Sequence, residues 1–140
     1  MKILLAVDGS RYTRRMFDYI GAHPNLLGPA HDYTVLTVVS PLPVRAAASF
    51  DKAGLAKHYA AEAEDALGPI RKYFATNALT PTFAIERGNA GDAIARFADN
   101  GKFELVVMGS HGHGSIANLV VGSVATKVLA KCKVPVLIVR

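Results

Sequence analysis

The apolar residues of this chain fall into five short, nearly unbroken runs, separated by stretches in which they recur every three or four positions. Residues 2–7 form the first run, a strand-length segment buried on both sides. A turn, Asp8-Gly9-Ser10, follows, with Ser10 placed to cap the next helix. Tyr12, Met16, Tyr19 and Ile20 then repeat as one helical stripe, which His23-Pro24 ends. Pro29 and Asp32 bracket a loop before a second strand, Tyr33 to Val39. Residues 40–50, with Pro41 and Pro43, predict a loop that is polar only in part and can lie over a ligand. A long helix comes next, with Leu55, Tyr59, Ala66, Ile70 and Phe74 on one face. Gly68-Pro69 inside it is a place for a kink or a break. Thr80 to Glu86 is the third strand. Gly88 to Asp92 turns into a short helix carrying Ile94, Phe97 and Ala98. Asn100-Gly101 ends that helix, with Gly101 expected in the left-handed conformation. A fourth strand (Leu105 to Met108), a glycine-rich loop, a last helix from Val124 and a fifth strand (Val136 to Val139) complete the order.

Strands that alternate with helices, and that are apolar nearly throughout, predict a parallel sheet covered on both faces. No repeat or linker divides the chain, so residues 1–140 are expected to be one domain. Its longest apolar runs are strand-sized, too short to cross a membrane. Lys2 leads into only five apolar residues before Asp8, too few for a signal-peptide core. The single cysteine, Cys132, allows no internal disulfide, and together these predict a cytoplasmic protein. The formal charge is +5, but the basic residues are dispersed and no run exceeds Arg14-Arg15. That suits solubility and small anionic ligands rather than nucleic acid.

The candidate chemistry lies between the fourth strand and the last helix. Four glycines fall within fourteen residues, at Gly109, Gly112, Gly114 and Gly122. A loop free of Cβ atoms can turn its N–H groups inward, and beside a helix N-terminus such a set attracts phosphate. A P-loop is excluded, because no lysine precedes Lys127 in this stretch and Gly101-Lys102 is followed by Phe103. Gly112-x-Gly114-x-x-Ala117 fits a dinucleotide fingerprint, but no Asp or Glu follows Glu104 to hold a ribose.

What fits is Gly109-x2-Gly112-x9-Gly122-Ser123. This resembles the nucleotide-binding pattern of the universal stress protein family, in its ATP-binding branch. Ile3 to Ser10 resembles that family's first strand and turn, Val106 to Ser110 its fourth strand, and Val134 to Val139 its last. The resemblance implies a doubly wound, Rossmann-like α/β fold with a five-stranded parallel sheet in the order 3-2-1-4-5. It also implies an adenine nucleotide, ATP with Mg²⁺, as ligand. In that order the sheet reverses between strands one and four, so Asp8 and Gly109 converge on one crevice. Gly109 and Gly112 would let backbone approach phosphate and ribose. Gly122 and Ser123 begin a helix, and Ser123 is expected to cap it or to donate to phosphate. Val124 N–H is a further donor by resemblance. Asp8 either accepts from ribose or the adenine side, helps hold Mg²⁺, or caps its own turn. Val38 matches a main-chain contact to adenine, and Ala6 and Met108 would line the floor. Ala90 stands where the family often has proline, which changes helix entry.

Other polar groups read more plainly. His111 and His113 are expected to be neutral, partly exposed loop residues, and no third ligand lies nearby for a metal. Ser110 and Ser115 have no evident base. Cys132 shares a helical stripe with Val124, Val128 and Leu129 and is expected in the core. The function expected is a regulatory, ATP-binding stress protein with slow or no hydrolysis, because neither a P-loop lysine nor an arginine for the γ-phosphate is identifiable. Two alternatives stay open: a nucleotide hydrolase or transferase using His111 or His113 as base, and a nucleotide-free interaction module. ATP is not separated from AMP or a cyclic nucleotide. The last strand would be an apolar sheet edge, and in the family it pairs with its counterpart, which implies a homodimer through residues 135–139. A heterologous protein partner is the other way to cover it.

Overall fold

The computed structural model describes residues 1–114 and 118–140. Ser115 and Ala117, named above, lie outside the described residues. Five strands, β1 (Lys2–Val7), β2 (Asp32–Val39), β3 (Thr82–Arg87), β4 (Leu105–Gly109) and β5 (Val136–Val139), form one sheet in the order β3-β2-β1-β4-β5. Every pairing is parallel. The order is the one the resemblance implied, with β1 and β4 adjacent at its centre.

The two-residue period of the strands sorts side chains onto two faces. Ile3, Leu5 and Val7 of β1 pack with Met16, Phe17 and Ile20 of α1 (Arg11–Ala22) and with Leu67, Ile70 and Phe74 of α4 (Lys52–Thr76). Leu4 and Ala6 face the other way, onto Ile94 and Ala98 of α5 (Ala90–Asn100) and Ala125 and Val128 of α6 (Ser123–Lys131). Side-chain caps start three of these helices. Ser10 Oγ accepts from Tyr12 N, Asp51 Oδ1 from Gly54 N, and Asn89 Oδ1 from Asp92 N.

The structure differs from the sequence reading in several places. α4 runs unbroken for 25 residues through Pro69. Leu67 and Ile70, on either side of the proline, are both buried against the sheet, and that packing holds the helix together despite the missing N–H. Two four-residue helices were not expected: α2 (Pro24–Leu27) follows the stop at His23-Pro24, and α3 (Val44–Ala47) lies inside the segment 40–50 expected to be a loop. They are too short to show a periodicity. β3 begins at Thr82, because Pro81 has no N–H to offer the ladder. Gly101 has φ of −77°, and it is Lys102 that takes the left-handed φ of 53°. The glycine is needed for space, since a Cβ there would lie 2.4 Å from the Phe103 ring. On α6, Val128 is fully buried but Leu129 is 51% exposed. Cys132 is only partly buried and donates from Sγ to Asp99 Oδ1 at 3.6 Å. Burial pushes its thiol pKa up.

Tyr33, at the start of β2, yields a pH prediction. Its buried hydroxyl donates to Leu27 O at 2.6 Å. Burial, with Tyr73 nearby, pushes its pKa from 10.0 to about 12. A folded pKa above the unfolded one favours the neutral form, so this stabilisation is complete below pH about 10 and is lost as pH rises to about 12. Urea unfolding of wild type and Tyr33→Phe should therefore show wild type losing stability more steeply across that window. Parallel slopes would show that the hydroxyl contributes no such linkage.

Candidate functional site

At the carboxyl ends of β1 and β4 the structure opens into a cavity of about 420 Å³. Ala6, Asp8, Val38, Met108, Gly109, Gly112, Gly122, Ser123 and Val124 all line it. The register explains one side. Ala6 sits opposite Leu36 on β2 and Met108 on β4, and with Val38 and Ile94 these make an apolar wall. Gly109, His111 to Gly114 and Leu119 of the segment after β4, with Gly122 to Val124 at the start of α6, make the other side.

Asp8 leaves the end of β1 and is held from its own turn. Its Oδ1 accepts from Ser10 N at 2.9 Å and from Thr13 Oγ1 at 3.0 Å. The turn-capping arrangement considered from the sequence is therefore present on one carboxylate oxygen. The other oxygen lies toward Gly112, where an added Cβ would come within 2.7 Å of Oδ2.

The two histidines tether the loop. His113 Nε2–H donates to the carbonyl of Asp8 at 2.7 Å, joining positions 105 residues apart. His111 Nε2–H donates to Leu119 O at 2.8 Å, and its Nδ1 meets Ser110 Oγ at 2.9 Å. A carbonyl only accepts, so Nε2 carries the proton in both rings. The His111 ring also packs on Tyr12, with centroids 5.1 Å apart. Both histidines line the cavity, the placement that the alternative reading of one of them as a base requires.

The loop glycines answer to crowding, not to unusual dihedrals. Among the described residues the positive-φ glycines are Gly9 and Gly88, neither in this loop. A Cβ on Gly109 would lie 2.6 Å from Tyr12 Cβ, so that glycine is required by the close passage of α1 before any ligand is considered. A Cβ on Gly122 would lie 3.1 Å from Ser110 O. The Gly122 N–H donates to that same oxygen at 2.7 Å. Gly114 is different, with open space around its Cβ direction.

Ser123 does not cap α6, as had been expected. Gly122 is the N-cap, in extended conformation, and its carbonyl accepts from Thr126 N at 2.9 Å. Ser123 is the first helical residue, with its hydroxyl beside the cavity and free of the capping task. The N–H groups of Ser123 and Val124 belong to the unpaired first turn, which carries the positive end of the helix dipole. Lys131 and Lys127 fasten α6 to α5 at Asp92, with Nζ–O distances of 2.6 and 3.8 Å. The hydrogen bond from Lys131 leads the causes that lower the Asp92 pKa.

Asp8 is the single charged side chain among the described lining residues, which include no lysine or arginine. The lining thus brings no cationic lysine or arginine side chain to an anion, and the first turn of α6 is the helix N-terminus at its edge. Thr13, Leu36, Ser40 and Ile94 also line the cavity and were not singled out as site residues, and Ala90, read from the sequence as altering helix entry and not the site, lines it as well. Leu36 was findable, being two residues before Val38 on the same strand face. Thr13, Ser40, Ala90 and Ile94 carry no such signal, because chain folding alone brings them to the cavity.

A doubly wound parallel sheet with its cavity beyond the strand ends, where strand order reverses, defines the class of α/β proteins that bind ligands at that point. Within that class the chain belongs to the universal stress protein family, whose family model matches residues 1–140. A universal stress protein of Thermus aquaticus is 32% identical over 146 residues, covering 99% of this chain and 97% of its own. Universal stress protein Slr1230 of Synechocystis is 43% identical over 53 residues, which are 38% of this chain and 18% of that protein. UspA from Lactobacillus plantarum superposes with a TM-score of 0.78 at 23% identity, over 99% of this chain and 97% of that one. A universal stress protein in complex with cAMP superposes at 0.70 with 22% identity, over 100% and 97%. One from Archaeoglobus fulgidus in complex with dAMP superposes at 0.64 with 22% identity, over 100% and 98%. These structures share the fold. Among the described residues, no helix is long and apolar enough to cross a membrane.

Proposed function

We propose that the cavity takes an adenine nucleotide, ATP with Mg²⁺ in the first place, and that the chain is a homodimeric regulatory module of the stress response in the cytoplasm, with slow or no hydrolysis. The observation that carries this reading is the convergence of residues from β1, β2, β4, the glycine loop and α6 on one cavity with two unlike sides. The apolar wall of Ala6, Leu36, Val38, Ile94 and Met108 suits a purine. The loop backbone and the α6 terminus suit a polyphosphate. The relatives solved with cAMP and dAMP favour an adenine nucleotide over other anions of similar size.

The donor set fits Mg²⁺ as an ion carried by the phosphates themselves: Asp8 is the one carboxylate in the described lining, and its Oδ1 is already taken by Ser10 N and Thr13 Oγ1. Among the described residues no group of three or more His, Cys, Asp or Glu gathers to hold a metal of its own. Bound there, the ion would offset phosphate charge. Slow or absent turnover is supported by the lining, which brings no lysine or arginine to a γ-phosphate among the described residues. The Nε2–H groups of both histidines are committed to carbonyls. The dimer is supported by β5, a sheet edge with Val136, Leu137 and Ile138 half-buried. Light scattering should give twice the chain mass, and a monomer would remove the dimer from this reading.

Gly114 supplies the test of the site. Its Cβ direction is open, so Gly114→Asp adds a carboxylate at the phosphate side without crowding. A unit charge about 6 Å from a phosphate, at an effective dielectric of about 20, is worth about 2.7 kcal/mol. Calorimetry should therefore show ATP affinity about 100-fold weaker in Gly114→Asp, near wild type in Gly114→Ala, and unchanged melting of both without nucleotide. Equal ATP affinity in Gly114→Asp would move the phosphates away from this loop.

A further inference from the structure

We propose that Thr13 is the positioning residue that aims Asp8 at the ribose and so gives the cavity a preference for ribonucleotides; this rests on the adenine-nucleotide reading above. An aspartate at the exposed end of a strand ordinarily samples several rotamers, and ordering it on ligand binding costs affinity. Here Thr13 removes that freedom. Its Oγ1–H donates to Asp8 Oδ1 at 3.0 Å, and the same oxygen accepts from Asp8 N at 3.2 Å. One hydroxyl thus grips the backbone and the side chain of a single residue. Thr13 is itself buried, 6% exposed on the first turn of α1, and its branched Cβ restricts χ1. Ser10 N makes the second bond to Oδ1. With Oδ1 occupied, Oδ2 is the acceptor presented toward Gly112 and the cavity.

A carboxylate oxygen accepts hydrogen bonds and repels phosphate. Its level along β1 then selects its partner. Ala6 stands at the base wall opposite Met108, and Asp8 lies two residues further out, roughly 6–7 Å along the strand direction. His113, from the loop after β4, reaches the Asp8 carbonyl at that level. Between a base at Ala6 and phosphates at the loop sits the sugar, and its hydroxyls are the donors within reach. A site built to receive a hydroxyl discriminates strongly against an analogue that lacks it.

The test uses the full chain, ATP and 2′,3′-dideoxy-ATP with Mg²⁺, and affinities from calorimetry. Wild type should bind ATP at least ~10-fold more tightly than the dideoxy analogue. Thr13→Val should weaken ATP by ~10-fold and leave the analogue within about twofold, collapsing the ratio, whereas Thr13→Ser should keep it. In an Asp8→Ala background Thr13→Val should have no further effect, since the two act through one interaction. Thr13→Ala replaces the valine variant if the latter melts early. Equal losses for ATP and the analogue, an effect that persists without the Asp8 carboxylate, or a wild type that does not distinguish the two ligands would each overturn the role of Thr13. If wild type binds neither ligand, the reading of the cavity itself fails, and the proposal fails with it.

Discussion

ATP with Mg²⁺ at millimolar concentration is expected to raise the melting temperature of this protein by roughly 10 °C or more. The cavity exists only when β1, β4 and α6 are assembled, so the ligand binds the folded chain and not the unfolded one. At about 1,000 times its dissociation constant, such a ligand adds about 4 kcal/mol. A chain of this length unfolds with an entropy that converts each kcal/mol into roughly 3 °C. GTP should shift the transition less, because the wall formed by Ala6, Val38 and Met108 has no side-chain group to meet the different edge of guanine. AMP should also shift it less, because it leaves the loop and the α6 terminus without the outer phosphates. No shift with any nucleotide would remove tight binding and favour the nucleotide-free interaction module.

Gly109→Val is expected to lower stability by about 3 kcal/mol, the upper end of overpacking costs, and the melting temperature by roughly 10 °C. The added Cβ would lie 2.6 Å from Tyr12 Cβ and 3.2 Å from Tyr12 backbone carbon, neither of them the movable end of a side chain. Tyr12 is 8% exposed, with the Arg11 and Arg15 guanidinium groups near its ring centroid at 5.1 and 5.3 Å. Relief therefore requires the first turn of α1 to shift, and Ser10 and Thr13 on that turn hold Asp8. Gly114→Val, in open space, is the matched control and should melt within about 2 °C of wild type. If Gly109→Val melts with the control, the Tyr12 contact yields easily, and ligand approach becomes the reason for glycine there.

Much of the architecture was legible because it rests on local periodicity. Continuous apolar runs gave five strands, and the helical stripes gave α1, α4, α5 and α6 close to their observed limits. Ser10 was placed as a cap from its side-chain chemistry alone, and it caps. Spacing also placed Gly109, Gly112, Gly122 and Ser123 in one loop system, and the strand order implied by the family resemblance brought Asp8 beside them. Misreadings arose where two local solutions differ by one residue. Gly122 rather than Ser123 became the N-cap, and Lys102 rather than Gly101 took the left-handed turn, because neighbouring packing decided the backbone conformation.

Alone, the sequence determined the alternation of strands and helices, their faces, and the presence of a glycine-rich loop entering a helix. Periodicity and turn chemistry are properties of neighbouring residues, so they survive without a fold. Tertiary structure alone decided why each glycine is a glycine. Gly109 yields to Tyr12, Gly112 to Asp8 and Gly122 to Ser110 and His111, while Gly114 yields to nothing within 4 Å. It alone showed that His113 fastens the loop to the Asp8 carbonyl and that Thr13 grips the Asp8 side chain. The room for a Cβ, and the partner of a ring nitrogen, depend on atoms delivered by other elements of the chain, and sequence spacing carries no record of those distances.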